Sequence, residues 1–190
     1  MTQAWIREDE PDLAVERILD AAEQAFVEIG VAAAGMGKIA EFAHCSRGTL
    51  YRYFPTLHAL HLAYVDRTAL RIVARVRQAL SGIESPRARL VEGIVRSVRE
   101  VRRNPGAQAW FDAGASGMAA RMSRSSEVIE VLTATFVSEL LEPGGPASSR
   151  RLGARWLVRV IVSLLAMPGE SAAEERALVE RFVAPALVRP

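Results

Sequence analysis

Lysine is almost missing from this chain: of its 24 basic residues only Lys38 is a lysine. That bias toward arginine reads as a GC-rich coding sequence more than as function. Cysteine occurs once, at Cys45. No disulfide can therefore form within the chain, which fits a reducing cytoplasm. The three histidines, His44, His58 and His61, all fall in one short stretch, and the C-terminal half is left without the usual proton-transfer residue. No Ser/His/Asp set, phosphate-cradling glycine loop or helix with paired metal ligands is present, so neither an enzyme nor a cofactor is expected. His58 and His61 are three apart and could converge. Zinc sites of the Cys₂His₂ type need a second spaced cysteine pair, however, and no metal site is expected. Long apolar runs are missing too. The most apolar segment, Trp156 to Met167, is twelve residues long and contains Arg159, whereas a bilayer span needs about 20 apolar residues. The opening MTQAWIREDEPD is polar and acidic, unlike a secretory signal.

What is present is helical periodicity. The 190 residues are half hydrophobic and carry a net charge of +2, enough for a real core in one or two domains. Residues 1–11 read as an arm, with Arg7 able to reach phosphate. Asp12 then caps a helix whose stripe is Val15, Ile18, Leu19, Ala22, Ala25, Phe26 and Ile29, and Gly30 ends it. The next stretch, MGKIAEFAHCSRGTLYRYF over Met36 to Phe54, reads as two short helices joined by a turn at His44-Cys45. Met36, Ile39, Ala40 and Ala43 give the first an apolar stripe, and Ser46 is a good N-cap for the second. In that second helix only Leu50 and part of Tyr53 or Phe54 can plug a core. Arg47, Thr49, Tyr51 and Arg52 are left for an exposed face, an arrangement that suits insertion into a DNA groove. Between Ala34 and Tyr53 the charges are Lys38, Arg47 and Arg52 against Glu41 alone, a local excess where a phosphate backbone would pass.

IAEFAHCSRGTLYRYF, preceded by a helix ending FVEIG, resembles the DNA-binding domain of tetracycline-repressor-type (TetR family) transcriptional regulators. The specific part is Ser46, Gly48, Thr49, Leu50, Tyr51, Tyr53 and Phe54 at fixed offsets, and the detailed resemblance spans about Val15 to Leu62. It implies that Lys38, Ser46, Arg47, Gly48, Thr49, Tyr51, Arg52, Tyr53 and His58 form the DNA-contacting set. Ser46 and nearby backbone N–H groups would hold a phosphate, the tyrosines a phosphate or thymine methyl, and Gly48 would allow close approach. Three departures stand out. Ala34 and Gly35 replace the usual capping Thr or Ser, Leu57 replaces a phosphate-contacting Lys, and His44 sits where the family mostly has Gly. His58 and His61 are candidates to substitute for the missing Lys.

After Phe54, Pro55-Thr56 opens a long helix to about Leu80, with Pro near N1. Leu60, Tyr64, Leu70, Val73 and Val76 are expected to pack, and Arg67, Arg71, Arg75 and Arg77 to stay solvated. Further helices are expected over Pro86–Arg103, as two short pieces between Gln108 and Met122 with a break near Gly114–Gly117, and over Ser126–Leu141. Pro143-Gly144-Gly145-Pro146 reads as a loop. Ile94, Val98, Trp110, Phe111, Met118, Met122, Leu132, Phe136 and Trp156 are candidates for an apolar cavity, since Met and aromatics beside small residues leave room between helices. Glu92 or Asp112 could orient a polar group there. Helices are also expected over Arg150–Met167 and Ala172–Leu187. The first is apolar on more than one face, which suggests burial both in the monomer and against a partner. Leu152, Trp156, Val160, Leu164, Leu178 and Phe182 are the candidate dimer contacts, where the resembled family forms a four-helix interface.

The expected fold is thus all-α, about nine helices: an N-terminal helix-turn-helix domain of three helices (1–55) and a C-terminal helical effector-binding and dimerisation domain (56–190). The expected function is a cytoplasmic, homodimeric transcriptional regulator. It would bind a palindromic double-stranded DNA operator as a repressor and be released by a hydrophobic small molecule. A helical dimer acting through protein partners, or a regulator without effector, is the alternative.

Overall fold

A computed structural model of the protein describes residues 11–112, 115–140 and 147–188. All regular structure among them is helical. The N-terminal arm with Arg7 and the Pro143–Pro146 loop lie outside the described residues.

Helix α1 (Pro11–Ile29) buries Ile18, Leu19, Ala22, Ala25 and Phe26 as its spacing requires. Ile29 departs from the expected stripe and is exposed, because the chain leaves the helix there through Gly30 at φ +80°, the left-handed cap only glycine adopts freely. Helices α2 (Met36–Phe42) and α3 (Arg47–Tyr53) follow. The side chain that should cap α2 is absent: Gly35 occupies the cap position with no side-chain bond, and Ala34 is fully buried.

Helix α4 (Leu57–Ala79) starts one step later than expected. Thr56 is its N-cap, accepting from the Ala59 N–H at 3.0 Å, and Pro55 precedes the cap. Two expectations for α4 are reversed. Leu70 is half exposed, and Arg67 is buried with only 8% of its side chain accessible. The reason is a row of acids on α1. Arg67 Nη1 donates to Asp20 at 2.7 Å and Glu16 at 2.9 Å, while Nη2 reaches Glu23 at 3.4 Å. A guanidinium can be buried when its donors are matched by carboxylates. Arg71, Arg75 and Arg77 are exposed and paired with Glu16, Glu100 and Glu139.

Helix α5 (Pro86–Arg103) has Ser85 as cap and Pro86 in its first turn, and it buries Leu90, Val91, Ile94 and Val98. At Asn104-Pro105-Gly106 the chain turns and at once restarts as a helix. Asn104 Oδ1 accepts from the Ala107 N–H at 2.8 Å and opens the one-turn helix α6 (Pro105–Gln108). Helix α7 (Ser116–Ser125) begins where a break was expected. Ser126 then caps α8 (Glu127–Leu140), accepting from Ile129 N–H at 2.9 Å and donating to Asp66 of α4 at 2.5 Å. Helix α9 (Ala147–Ala166) and α10 (Ala172–Leu178) close the bundle. The expected single helix to Leu187 is interrupted by a π turn (Val179–Val183) before α11 (Ala184–Leu187). Pro185 has no N–H for the carbonyl four residues back, and a widened turn just before it accommodates that loss.

One core cluster joins α1, α2, α3 and the start of α4 to the end of the α6 turn and α7, through Trp110, Ala119 and Met122. A second joins α5, α8, α9 and the last helices.

Candidate nucleic-acid interface and inner cavity

The turn between α2 and α3 is set by backbone hydrogen bonds. Cys45 N–H donates to Ala40 O at 3.0 Å and His44 N–H to Glu41 O at 3.1 Å, with His44 at φ +51°. This is the Schellman closure, whose left-handed position normally falls to glycine. Ser46 follows at once, its Oγ accepting from Thr49 N–H at 3.0 Å and lying 2.9 Å from Thr49 Oγ1. Leu50 is fully buried and fixes α3 against the domain.

The rest of α3 is turned outward. Ser46, Arg47, Gly48, Tyr51 and Arg52 are exposed, with Thr49 and Tyr53 half-buried. The Arg52 guanidinium lies 5.2 Å over the Tyr53 ring. Nothing inside the chain demands a glycine at 48, since an added Cβ would meet only Ser46 Oγ, at 3.7 Å. At Gly37 the opposite holds: the Arg47 guanidinium lies where a Cβ would be, 2.7 Å away, so Arg47 folds across α2. Lys38 is exposed but pairs with Glu41 at 2.9 Å, so the two charges largely cancel locally.

The two histidines of α4 separate. His58 is exposed, whereas His61 is 5% accessible and cannot reach a surface phosphate. Its ring meets Trp110 at 5.0 Å and Phe26 at 5.5 Å, both edge to face. Burial, and secondarily the charge of His58, push its pKa down to about 4, so it is neutral at physiological pH. Tyr64 completes the group, 5.0 Å from Phe26 and stacked on Trp110 at 6.2 Å.

Tyr64 and Trp110 also face a cavity of about 170 Å³ between α4, α5, α7, α8 and α9. Thr68, Ile72, Phe111, Ile161 and Leu165 contribute further wall. Of the residues expected at a cavity, Trp110 and Phe111 line this one, and Ile94, Leu132 and Phe136 line a smaller one of about 90 Å³. Val98 and Met122 are packed in core, Met118 packs partly buried on the first core cluster and Trp156 on the second. Glu92 and Asp112 do not face the larger cavity. Glu92 is hydrogen-bonded to Arg176 and, at 2.8 Å, to Arg96, and Arg176 above all holds its carboxyl below the usual range. Tyr64, Thr68 and Ile72 escaped the sequence reading as cavity wall. Their i, i+4, i+8 spacing marks one face of α4, but only the distant α9 decides that this face meets space.

On α9, Leu152 is about two-thirds exposed, as is Phe182 in the π turn, and Leu178 at the end of α10 is 40% exposed. Trp156, Val160 and Leu164 of α9 are half-buried. No helix among the described residues is long and apolar enough to cross a membrane.

Residues 18–64 match the model of the bacterial regulatory proteins, tetR family. Over 181 residues the chain is 41% identical to the uncharacterized HTH-type transcriptional regulator Rv1255c of Mycobacterium tuberculosis, covering 95% of this chain and 89% of that one. The fold is similar to the TetR family repressor AlkX from Dietzia sp. (TM-score 0.66, 24% identity, covering 91% of this chain and 94% of AlkX). It is also similar to Thermus thermophilus FadR, a TetR family repressor solved with lauroyl-CoA (TM-score 0.59, 22% identity, covering 86% and 89%). With the helix-turn-helix geometry and a relative of that identity over nearly its whole length, the chain belongs to the TetR family of DNA-binding transcriptional regulators and is not an enzyme.

Proposed function

We propose that this regulator is a homodimer that binds a near-palindromic operator through α3 and is released by a small molecule entering the inner cavity. The observation that carries this reading is shared wall: Tyr64 and Trp110 line the cavity and also pack on Phe26 of α1. A ligand that displaces either ring disturbs the seat of the helix-turn-helix unit. The proposed division is a reader over 1–55 and a sensing and dimerising part over 56–190. Lys38, Ser46, Arg47, Gly48, Thr49, Tyr51, Arg52, Tyr53 and His58 are the proposed DNA contacts, of which Tyr51 is a large apolar-bodied side chain left 49% exposed. The apolar face of Leu152, Trp156, Val160, Leu164, Leu178 and Phe182 is the proposed dimer seam. Two-fold pairing through it would set the recognition helices about 34–36 Å apart, one turn of DNA.

The ligand acts only if it binds the DNA-incompetent arrangement more tightly. An apolar cavity wall favours a largely hydrophobic effector, and the lauroyl-CoA held by FadR is a neighbour's example of a partly apolar ligand. Selection from a random DNA pool tests the reading. The native protein should yield a two-fold symmetric motif and an Arg47→Ala/Tyr51→Ala variant none. Failure of the native protein to enrich any motif, with or without cell extract, overturns it.

A further inference from the structure

Beside the apolar cavity lies a second one, of about 250 Å³, between α7, α8 and α9. The two share Ser123, Ile129 and Val158 as common wall, so one opens beside the other. Their chemistry differs sharply. The inner cavity is walled mainly by rings and aliphatic side chains, with Thr68, Ser97, Ser123 and Thr133 as its polar residues, whereas the outer one is edged by Arg124, Arg155 and Arg159 with Glu130 as its one acid.

The charges there do not cancel. Glu130 is already engaged by Arg151 at 2.9 Å and lies 3.9 Å from Arg155. Its carboxyl is held below the usual range, first by the hydrogen bond from Arg151. Arg124 and Arg159 have no hydrogen-bond or ion-pair partner among the described residues, and both are exposed. Two guanidinium groups without a partner among the described residues therefore edge the outer cavity, which shares part of its wall with the apolar one.

We propose that the effector is an amphipathic anion whose compact apolar body fills the inner cavity while Arg124 and Arg159 bind its acidic head at the outer one. This rests on the ligand-responsive reading above and makes it specific. Guanidinium groups suit the purpose because their planar donors match the two oxygens of a carboxylate or phosphate. The inner volume sets the size of the body. An apolar protein cavity of roughly 150 Å³ accommodates benzene, so the body is a ring or a short alkyl chain, and anything longer must extend into the outer cavity.

The test is calorimetric titration of the full chain with octanoate, octan-1-ol and octylamine, which share one tail and differ in head charge. The native protein should bind octanoate tightest and octylamine weakest. Arg124→Gln/Arg159→Gln should weaken octanoate by roughly tenfold, to the level of octan-1-ol, and leave octan-1-ol unchanged, which shows the cavity intact. If octan-1-ol binds the native protein as tightly as octanoate, or if the octanoate preference survives in the double variant, the head-group site is wrong while the apolar effector cavity stands. If none of the three binds, the cavity is not a ligand site and both readings fall.

Discussion

Phe26 of α1 and Trp110, just after α6, meet edge to face with ring centroids 5.4 Å apart and planes at 82°. The contact joins the first helix of the chain to the wall of the inner cavity. Replacing a buried Trp by Ala costs about 3–5 kcal/mol through lost transfer energy and the void left behind. Trp110→Ala should therefore lower stability by about that amount in urea titration. Trp110→Phe should keep the fold and weaken the effect of a ligand on operator affinity. Equal ligand response in Trp110→Phe and the native protein would remove this contact from the signalling route.

Arg67 holds α1 to α4 through three carboxylates. Its partners Glu16 and Asp20 are themselves about half exposed or more, so water can recover part of what is lost. Arg67→Ala should destabilise by roughly 1.5–3 kcal/mol, the range for hydrogen bonds to charged groups. Arg67→Lys should restore little, because an ammonium lacks the fork that spans three acceptors. Chemical denaturation of both variants checks this, and full rescue by lysine would show that charge alone matters.

His44 occupies a left-handed turn that glycine adopts freely. Left-handed backbone costs a non-glycine residue roughly 1–2 kcal/mol, part of which the added chain entropy of glycine takes back. His44→Gly should thus raise stability by about 0.5–1 kcal/mol, seen as a melting rise of a few degrees. A melting point that does not rise would mean His44 gains a compensating contact.

His61 predicts a pH dependence. Its folded pKa of about 4 lies below the ordinary 6.5, so between those values the unfolded chain binds the extra proton. The contribution is intact above pH 6.5 and is lost as the pH falls toward 4. His61→Phe keeps a ring between Phe26 and Trp110 and should flatten stability over that window, as thermal melts at stepped pH would reveal. An identical slope in both proteins would assign the acid sensitivity elsewhere.

Leu57, half-buried in the first turn of α4, stands where the family usually has a lysine. Leu57→Lys should tighten operator binding and steepen the salt dependence by roughly 0.9 log units per added phosphate contact. Operator titrations across a salt series read the slope directly, and an unchanged slope would place Leu57 away from the DNA backbone.

Local chemistry was legible in the sequence wherever the cause was local. The bounds of α5, Pro86 and Arg103, can be read off the sequence because helix start and stop signals act within one turn. Ser46 and Gly30 declared themselves in the same way. Arg67 did not, because the acids that bury it lie 44 to 51 residues earlier in the chain. The π turn was hidden for a different reason: Pro185 announces a missing donor but not how the preceding turn adjusts. Cavity walls are the hardest to read. Val98 and Ile72 are both apolar helix positions, and only the arrangement of α8 and α9 leaves one in packed core and the other facing space.

The core that runs from Leu50 and Phe54 through Trp110 to Met122 bears on how such regulators exchange parts. A reader cut out at residue 55 and grafted onto another sensor would arrive with its apolar underside open. A working hybrid of this protein must carry the start of α4 and the α6–α7 stretch along with the first three helices. For this chain the unit of recombination is therefore discontinuous: the genetic cassette and the physical module do not coincide.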